Sequence, residues 1–352
     1  MSDFTEKGGL GGLGIKGCAS AFPVEGGRWF ANEELHQLRY GENWRALMLE
    51  QGEDPDYYDR YHGYRRRYWT HCPGERINPA GLNSTDLIEE AIRRALDESG
   101  LATDEIDLVI TFTTTSPRYT SSLATLVAGR LALKCAAFEM KVGCASALYA
   151  MVVAAHFIRS GARNVLIAGG DTLSRVTALD SSHLYAVGDG SGAIIMGRVT
   201  EQERGIMALT LGSNGEQSGA MGVPGILPPT AEALERGDYT LVITDQAGDE
   251  IKKRWQLIPE ELYYLSGLTP SQIDAFLPHQ VNNGLINTGA TAAQIPAERV
   301  LNYVPVVANC GPAGILIALE MALRNGRASV GDTLMLVAVG GGIAWGGLIL
   351  RL

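Results

Sequence analysis

The feature that most limits how this 352-residue chain can fold is a pattern that occurs twice. From Cys144, fifteen residues of helical spacing lead to Arg159-Ser160-Gly161, and an apolar strand at 165–168 follows, closed by Gly169-Gly170. From Asn309, another fifteen lead to Arg324-Asn325-Gly326, and an apolar strand at 334–339 follows, closed by Gly340-Gly341-Gly342. The match extends upstream, where 103–110 reads like 269–277, each following a helix and opening a buried strand. The chain therefore reads as two copies of one α/β unit, 1–200 and 201–352, in which Cys144 and Asn309 hold equivalent places.

Each copy puts its chemistry-bearing residue where a strand ends or a helix begins, the place at which α/β folds gather ligands. Cys144 follows Gly143, which allows a sharp turn, and precedes the apolar helix at 147–158. A thiol at a helix N-terminus meets the positive end of the dipole and free backbone N–H groups, both of which favour the thiolate. A lone cysteine there would equally serve to pack a strand-to-helix turn, since free cysteines are among the most buried residues. His279 stands where a strand closes at Pro278 and is followed by Gln280, Asn282 and Asn283. The duplication brings it towards Cys144 and Asn309, so the three read as one shared site.

Composition sets the class. With 46% hydrophobic residues and a net charge of −10, the chain reads as a soluble globular protein without broad affinity for nucleic acid or anionic membranes. The start lacks the basic-then-apolar order of a secretory signal, and five cysteines without a C-x-x-C pair read as reduced thiols; both point to the cytoplasm. Residues 334–350 carry no charge over seventeen positions, but glycines at 340–342 and 346–347 divide them into two buried strands around a turn rather than a membrane span. Gly9 to Gly14 fits a dinucleotide pattern without a preceding strand and reads as a flexible start, while 188–193 enters a strand where a phosphate site needs a helix. His62, His71 and Cys72 suggest a surface cluster, and no metal is expected.

Along the chain, the pattern predicts a strand at Leu13–Ala21, a helix at 31–50, an aromatic and basic insert at 54–69, and a helix capped by Ser84 and ending at Ser99. A buried strand at 107–112 and a helix at 122–131 precede the cysteine. Pro224, Pro228 and Pro229 mark a link into the second half, where a helix at 248–266 is the first clear element.

Gly143-Cys144-Ala145, the box His279-Gln280-Val281-Asn282, Asn309, the run 188–193 and the tail 340–346 stand in this order over nearly the whole chain. In these motifs the chain resembles β-ketoacyl-acyl carrier protein synthase III (KAS III) of the thiolase superfamily. The resemblance implies an α/β thiolase-like fold, with duplicated βαβαβ halves in a five-layer αβαβα sandwich, and a homodimer. It implies that Cys144 accepts the acyl group, that His279 and Asn309 bind the malonyl thioester carbonyl, and that the backbone N–H groups of Cys144 and Gly341 form an oxyanion hole. No cofactor is implied; the substrates arrive as coenzyme A or acyl carrier protein thioesters. Trp44 matches a tryptophan that stacks on the coenzyme A adenine, although the arginine that sandwiches it is missing around 181–183. Tyr119 matches an aromatic residue that crosses the dimer interface and closes the partner's acyl tunnel. Lys252, Lys253 and Arg254 form a basic group on a helix, either a carrier-protein docking patch or a solvated face. The reaction implied is acyl loading followed by decarboxylative Claisen condensation. The alternatives are acyl transfer to a hydroxyl or amine, and a non-catalytic partner subunit.

Overall fold

A computed structural model describes residues 3–24, 28–118 and 120–352. The first half contributes β1 (Phe4–Gly11), β2 (Leu13–Ala21), α1 (Ser84–Ser99), β3 (Leu108–Phe112), α2 (Leu123–Arg130), β4 (Ala136–Met140), α3 (Ser146–Arg159), β5 (Asn164–Thr172) and β6 (Asp189–Arg198). The second contributes β7 (Gly205–Ser213), α4 (Asp245–Ser266), β8 (Ala275–Pro278), α5 (Asn283–Ala292), α6 (Gly314–Arg324), β9 (Thr333–Gly340) and β10 (Ala344–Arg351). Two five-stranded sheets result, ordered β2-β6-β5-β3-β4 and β1-β7-β10-β9-β8. With β1 set aside the orders coincide, because β2, β6, β5 and β3 correspond to β7, β10, β9 and β8. Among the strands of the two sheets, parallel pairing joins β3 with β4 and β5, and β8 with β9. A bridge between Phe276 and Val300 stands where β4 has its counterpart.

The layers follow from which faces are apolar. In α1 the buried residues Leu87, Ile88, Ala91, Ile92 and Ala95 form one stripe, which packs on β2, β6 and β5. Helices α3 and α6 are buried around most of their circumference, as helices between two sheets must be. Accordingly α3 packs on β5 and β10, and α6 on β6, β2 and β8, while α4 covers β9, β7 and β10 from the far side and packs with α5. One core lies between the sheets and one under each outer helix layer. This is the five-layer αβαβα sandwich of duplicated halves.

Several local readings are corrected. Residues 4–11 form a strand where the sequence suggested a flexible start: β1 pairs antiparallel with β7, with a bulge between Lys7 and Leu10, and so extends the second sheet. The halves therefore do not separate cleanly at residue 200. Leu10 is fully buried, and the Asp3 carboxylate accepts the Trp345 indole N–H at 3.1 Å. The helix expected at 31–50 is two helices, Asn32–Tyr40 and Trp44–Glu50, broken at Gly41 in a left-handed conformation (φ 80°). Asn83, not Ser84, caps α1, its side chain accepting the Thr85 N–H at 2.9 Å. The insert ends in a strand, Arg66–Trp69, paired with Arg28–Ala31. Its buried Arg67 donates to the carbonyls of Phe30 and Tyr185 and to Asn32 Oδ1, anchoring the insert by neutral acceptors.

Because β1 was unreadable as a strand, Leu10 tests it. Leu10→Ala is expected to lower the unfolding free energy by roughly 2–5 kcal/mol, the usual cost of a buried leucine truncation. Chemical denaturation measures it, and a change within 0.5 kcal/mol, about what a surface site would give, contradicts the strand assignment.

Candidate active site

The nucleophile and its counterpart sit on matched turns. Gly143–Ala145 is one turn of 3-10 helix feeding α3, and Gly311–Ala313 is the same turn feeding α6. Gly143 (φ 52°) and Gly311 (φ 57°) both take the left-handed conformation that side chains resist. The turns correct the register read from the repeat: Cys144 corresponds to Pro312, and Asn309 lies two residues ahead of its turn. The equal counts of fifteen arose because α6 has 11 residues where α3 has 14.

The Cys144 turn is pressed against the β9–β10 turn of the other half. A Cβ on Gly340 would stand 2.6 Å from Cys144 Sγ, and a side chain on Gly143 would run into the Gly341 carbonyl. In this contact the backbone N–H groups of Gly341 and Cys144 lie beside the sulfur and favour its charged form. Cys144 is only 7% exposed. Burial pushes its thiol up to about 12, with the Asp171 carboxylate adding to the rise and the two N–H donors opposing it. Burial thus works against the thiolate that the helix terminus favours.

Asn309 and Cys144 line one cavity of about 370 Å³ with Leu173, Val176, Val187 and Ile243 among its apolar walls. Asn309 Oδ1 accepts the Gly311 N–H at 2.9 Å, which leaves Nδ2 as the donor end of the amide. His279 follows β8, its backbone N–H donating to Val337 at 2.8 Å. It does not line that cavity; a Cβ on Gly314, at the start of α6, would lie 3.6 Å from Nδ1. Among the described residues neither ring nitrogen has a partner, and burial pushes the imidazole down to about 4, so it is neutral at physiological pH. The rest of the box is structural. Gln280 accepts the Tyr303 N–H at 2.7 Å and donates to Pro278 and Leu301, and Asn282 caps α5 through the Leu285 N–H at 2.9 Å.

Other expected residues fall elsewhere. Trp44 is buried away from the cavity wall, with His36 stacked on it at 4.6 Å and the Arg45 guanidinium 4.7 Å from its ring. Tyr119 lies outside the described residues. Lys252 and Lys253 are exposed on α4. Arg254 is withdrawn from that patch: it pairs with Glu250 at 2.9 Å and Asp3 at 3.7 Å and lies 3.6 Å over Trp345. The run 188–193 serves packing, with Asp189 accepting N–H and O–H donors from Thr70 and Ser174. Among the described residues no acidic, histidine and cysteine cluster has the makings of a metal site, and no helix is long and apolar enough to cross a membrane. Two parts of the site escaped sequence reading: Gly340, whose role appears only when the halves meet, and Asp171, an acid closing the apolar strand β5.

A duplicated α/β sandwich with a thiol at the turn between its halves defines a thiolase-like enzyme. The family model for 3-oxoacyl-[acyl-carrier-protein] synthase III matches residues 138–215, and its C-terminal model matches 265–352. β-Ketoacyl-[acyl-carrier-protein] synthase III of Thioalkalivibrio sulfidiphilus is 36% identical over 275 residues, covering 76% of this chain and 83% of that protein. The same enzyme of Caldanaerobacter subterraneus is 31% identical over 286 residues, covering 78% and 85%. The crystal structure of 3-oxoacyl-[acyl-carrier-protein] synthase III from Aquifex aeolicus superposes with a TM-score of 0.80 at 27% identity, covering 97% of this chain and 100% of that one. OleA of Xanthomonas campestris, at 18% identity and a TM-score of 0.77, shares the fold. The chain belongs to the β-ketoacyl-acyl carrier protein synthase III family.

The state of the thiol is testable directly. Iodoacetamide alkylation of Cys144 in the free protein should rise about tenfold per pH unit between pH 7 and 9 without levelling, because a thiol titrating near 12 gains thiolate throughout that range. A plateau by pH 8 contradicts the buried, neutral thiol.

Proposed function

We propose that Cys144 carries the acyl group and that His279 and Asn309 serve the malonyl half of the reaction. The chain is a decarboxylating condensing enzyme of the KAS III family, joining an acyl thioester to a malonyl thioester. The single observation that supports the residue roles is that Cys144, Asn309 and Gly341 line one largely apolar cavity, with the backbone N–H groups of Cys144 and Gly341 beside the sulfur. Donors so placed serve the oxygen that becomes negative when the thiol adds to a thioester carbonyl.

Sulfur adds to the acyl carbonyl, the carrier thiolate leaves, and the thiol proton passes to it. In the second half, the malonyl bond to the carboxylate breaks, carbon dioxide departs, and its electron pair becomes an enolate. Asn309 Nδ2 and the N–H of neutral His279 donate to that enolate oxygen. The carbanion attacks the acyl carbonyl, Cys144 leaves as thiolate, and it takes up from solvent the one proton that the decarboxylative condensation consumes. Nothing in these steps calls for a metal or cofactor. We further propose a cytoplasmic homodimer that receives acyl groups from coenzyme A or an acyl carrier protein, with Lys252 and Lys253 as the carrier-facing cations. Trp44, held against His36 and Arg45, is not assigned the adenine.

Intact-mass measurement after exposure to acyl thioesters should show no acyl adduct on Cys144→Ala, while Cys144→Gln, which mimics the acylated residue, keeps malonyl decarboxylation. Acyl mass on Cys144→Ala would reveal another nucleophile. His279→Ala and Asn309→Ala should each lower decarboxylation by about 10²–10³-fold, the usual loss of one oxyanion donor, with acyl loading much less affected. Equal losses in both half-reactions contradict this division. Acyl transfer to a hydroxyl or amine would instead leave Asn309→Ala nearly active.

A further inference from the structure

The two donors of the malonyl half stand on different loops, His279 behind β8 and Asn309 ahead of the turn into α6, yet one oxygen must receive both. A single stretch of the insert, 62–69, is bonded to both loops. On the histidine side, the buried Tyr64 donates its hydroxyl to the Val281 carbonyl at 2.7 Å, and the Val281 N–H donates in turn to the His279 carbonyl at 2.9 Å. The Asn283 N–H donates to the His62 carbonyl at 2.9 Å. On the asparagine side, Arg67 donates to the Tyr185 carbonyl at 2.7 Å and the Trp69 indole to the Val187 carbonyl at 2.9 Å. Val187 pairs with Asn309 in a parallel bridge, in which the Asn309 N–H donates to the Ala186 carbonyl at 2.8 Å and the Gly188 N–H to the Asn309 carbonyl at 2.9 Å. Asn32 joins the two sides, donating to the Tyr64 carbonyl at 2.6 Å and accepting from Arg67 at 2.8 Å.

Two features mark this stretch as a brace. Ala308, directly before Asn309, has φ 56° and ψ −152°, a conformation that a side chain resists and that persists only where the surroundings enforce it. The Ala308 N–H bond to Val304 at 2.9 Å and the Asn309 bridge to 186–188 supply that enforcement, and Arg67 and Trp69 fix the far side of the bridge. Arg67 is itself fully buried, yet its acceptors are the carbonyls of Phe30 and Tyr185 and the Asn32 amide oxygen, all neutral. Among the described residues its Nε has no partner. A guanidinium buried without a carboxylate costs free energy, so stability does not account for it. A rigid fork that reaches two segments at once does.

We infer that Tyr64 and Arg67 are positioning residues for malonyl decarboxylation: through the 62–69 stretch they hold the His279 loop and the Asn309 loop in one register, so that both donors meet the same enolate oxygen. The inference rests on His279 and Asn309 serving that half-reaction. Neither Tyr64 nor Arg67 lines the acyl cavity, and the Cys144 turn is seated against Gly340 and Gly341 instead. Acyl loading therefore proceeds without the brace.

Tyr64→Phe removes one hydroxyl and keeps the ring, and Arg67→Met keeps much of the volume and removes the fork. In the full chain, each change is placed on Cys144→Gln to measure carbon dioxide release from malonyl-acyl carrier protein. Each is also placed on the Cys144 enzyme to measure, by intact mass, loading from an acyl thioester that the parent accepts. The kcat of decarboxylation should fall about tenfold for Tyr64→Phe and about 10²-fold for Arg67→Met, the scale of loss when a reacting group is displaced by about 1 Å. The KM for the malonyl thioester and the rate of acyl loading should stay within about twofold, since the loss is of transition-state contacts alone. Tyr64→Phe, the milder change, carries the test if Arg67→Met does not fold. An unchanged kcat in either folded variant, or equal losses in the two half-reactions, overturns the inference. Decarboxylation that survives His279→Ala and Asn309→Ala overturns the assignment of the donors, whereas decarboxylation that those changes abolish but Tyr64→Phe and Arg67→Met leave intact overturns this inference alone.

Discussion

The site depends on one close approach, that of the Cys144 turn of the first half to the Gly340-Gly341 turn of the second. No Cβ is tolerated on either side: one on Gly340 would lie 2.6 Å from Cys144 Sγ, and Gly143 already packs against the Gly341 carbonyl. The first half supplies the sulfur, and the second supplies an N–H that reaches it. Neither half alone holds both, so the sheets, the shared core between them and the two central helices serve to bring two loops into register.

Burial at that junction decides the electrostatics. A helix terminus is worth roughly 0.3–1 kcal/mol to an adjacent negative charge. The rise of the Cys144 thiol from 9.0 to about 12 corresponds to about 4 kcal/mol in the opposite direction. Desolvation wins, and the same burial holds His279 neutral with both nitrogens free. The resting centre thus contains a neutral thiol, a neutral imidazole and an amide, a set suited to meeting charge as it develops rather than storing it.

Much of this was legible in the chain. The duplication predicted two α/β halves with matched sheets, because glycine-closed strands after apolar helices leave the same trace each time they occur. Cys144, His279 and Asn309 stood out as polar groups at the ends of those units. What was not legible depended on distant contacts. Residues 4–11 lack a strand's composition at Gly8, Gly9 and Gly11, yet they pair because β7 offers an open edge and Leu10 finds a core. The register of Asn309 was misread because a helix shortened by three residues moves its start without moving its end. Arg254 looked like one of three equivalent cations until Asp3, from the far end of the chain, came to lie beside it.

The most direct measurement is a crystal structure of the acyl-enzyme formed with a non-hydrolysed acyl thioester. The account predicts acyl density continuous with Cys144 Sγ, the chain running into the cavity bounded by Leu173 and Val187, and the acyl carbonyl oxygen about 2.7–3.1 Å from the amide nitrogens of Cys144 and Gly341. An acyl group on another residue, or a carbonyl oxygen turned away from both amides, would contradict it.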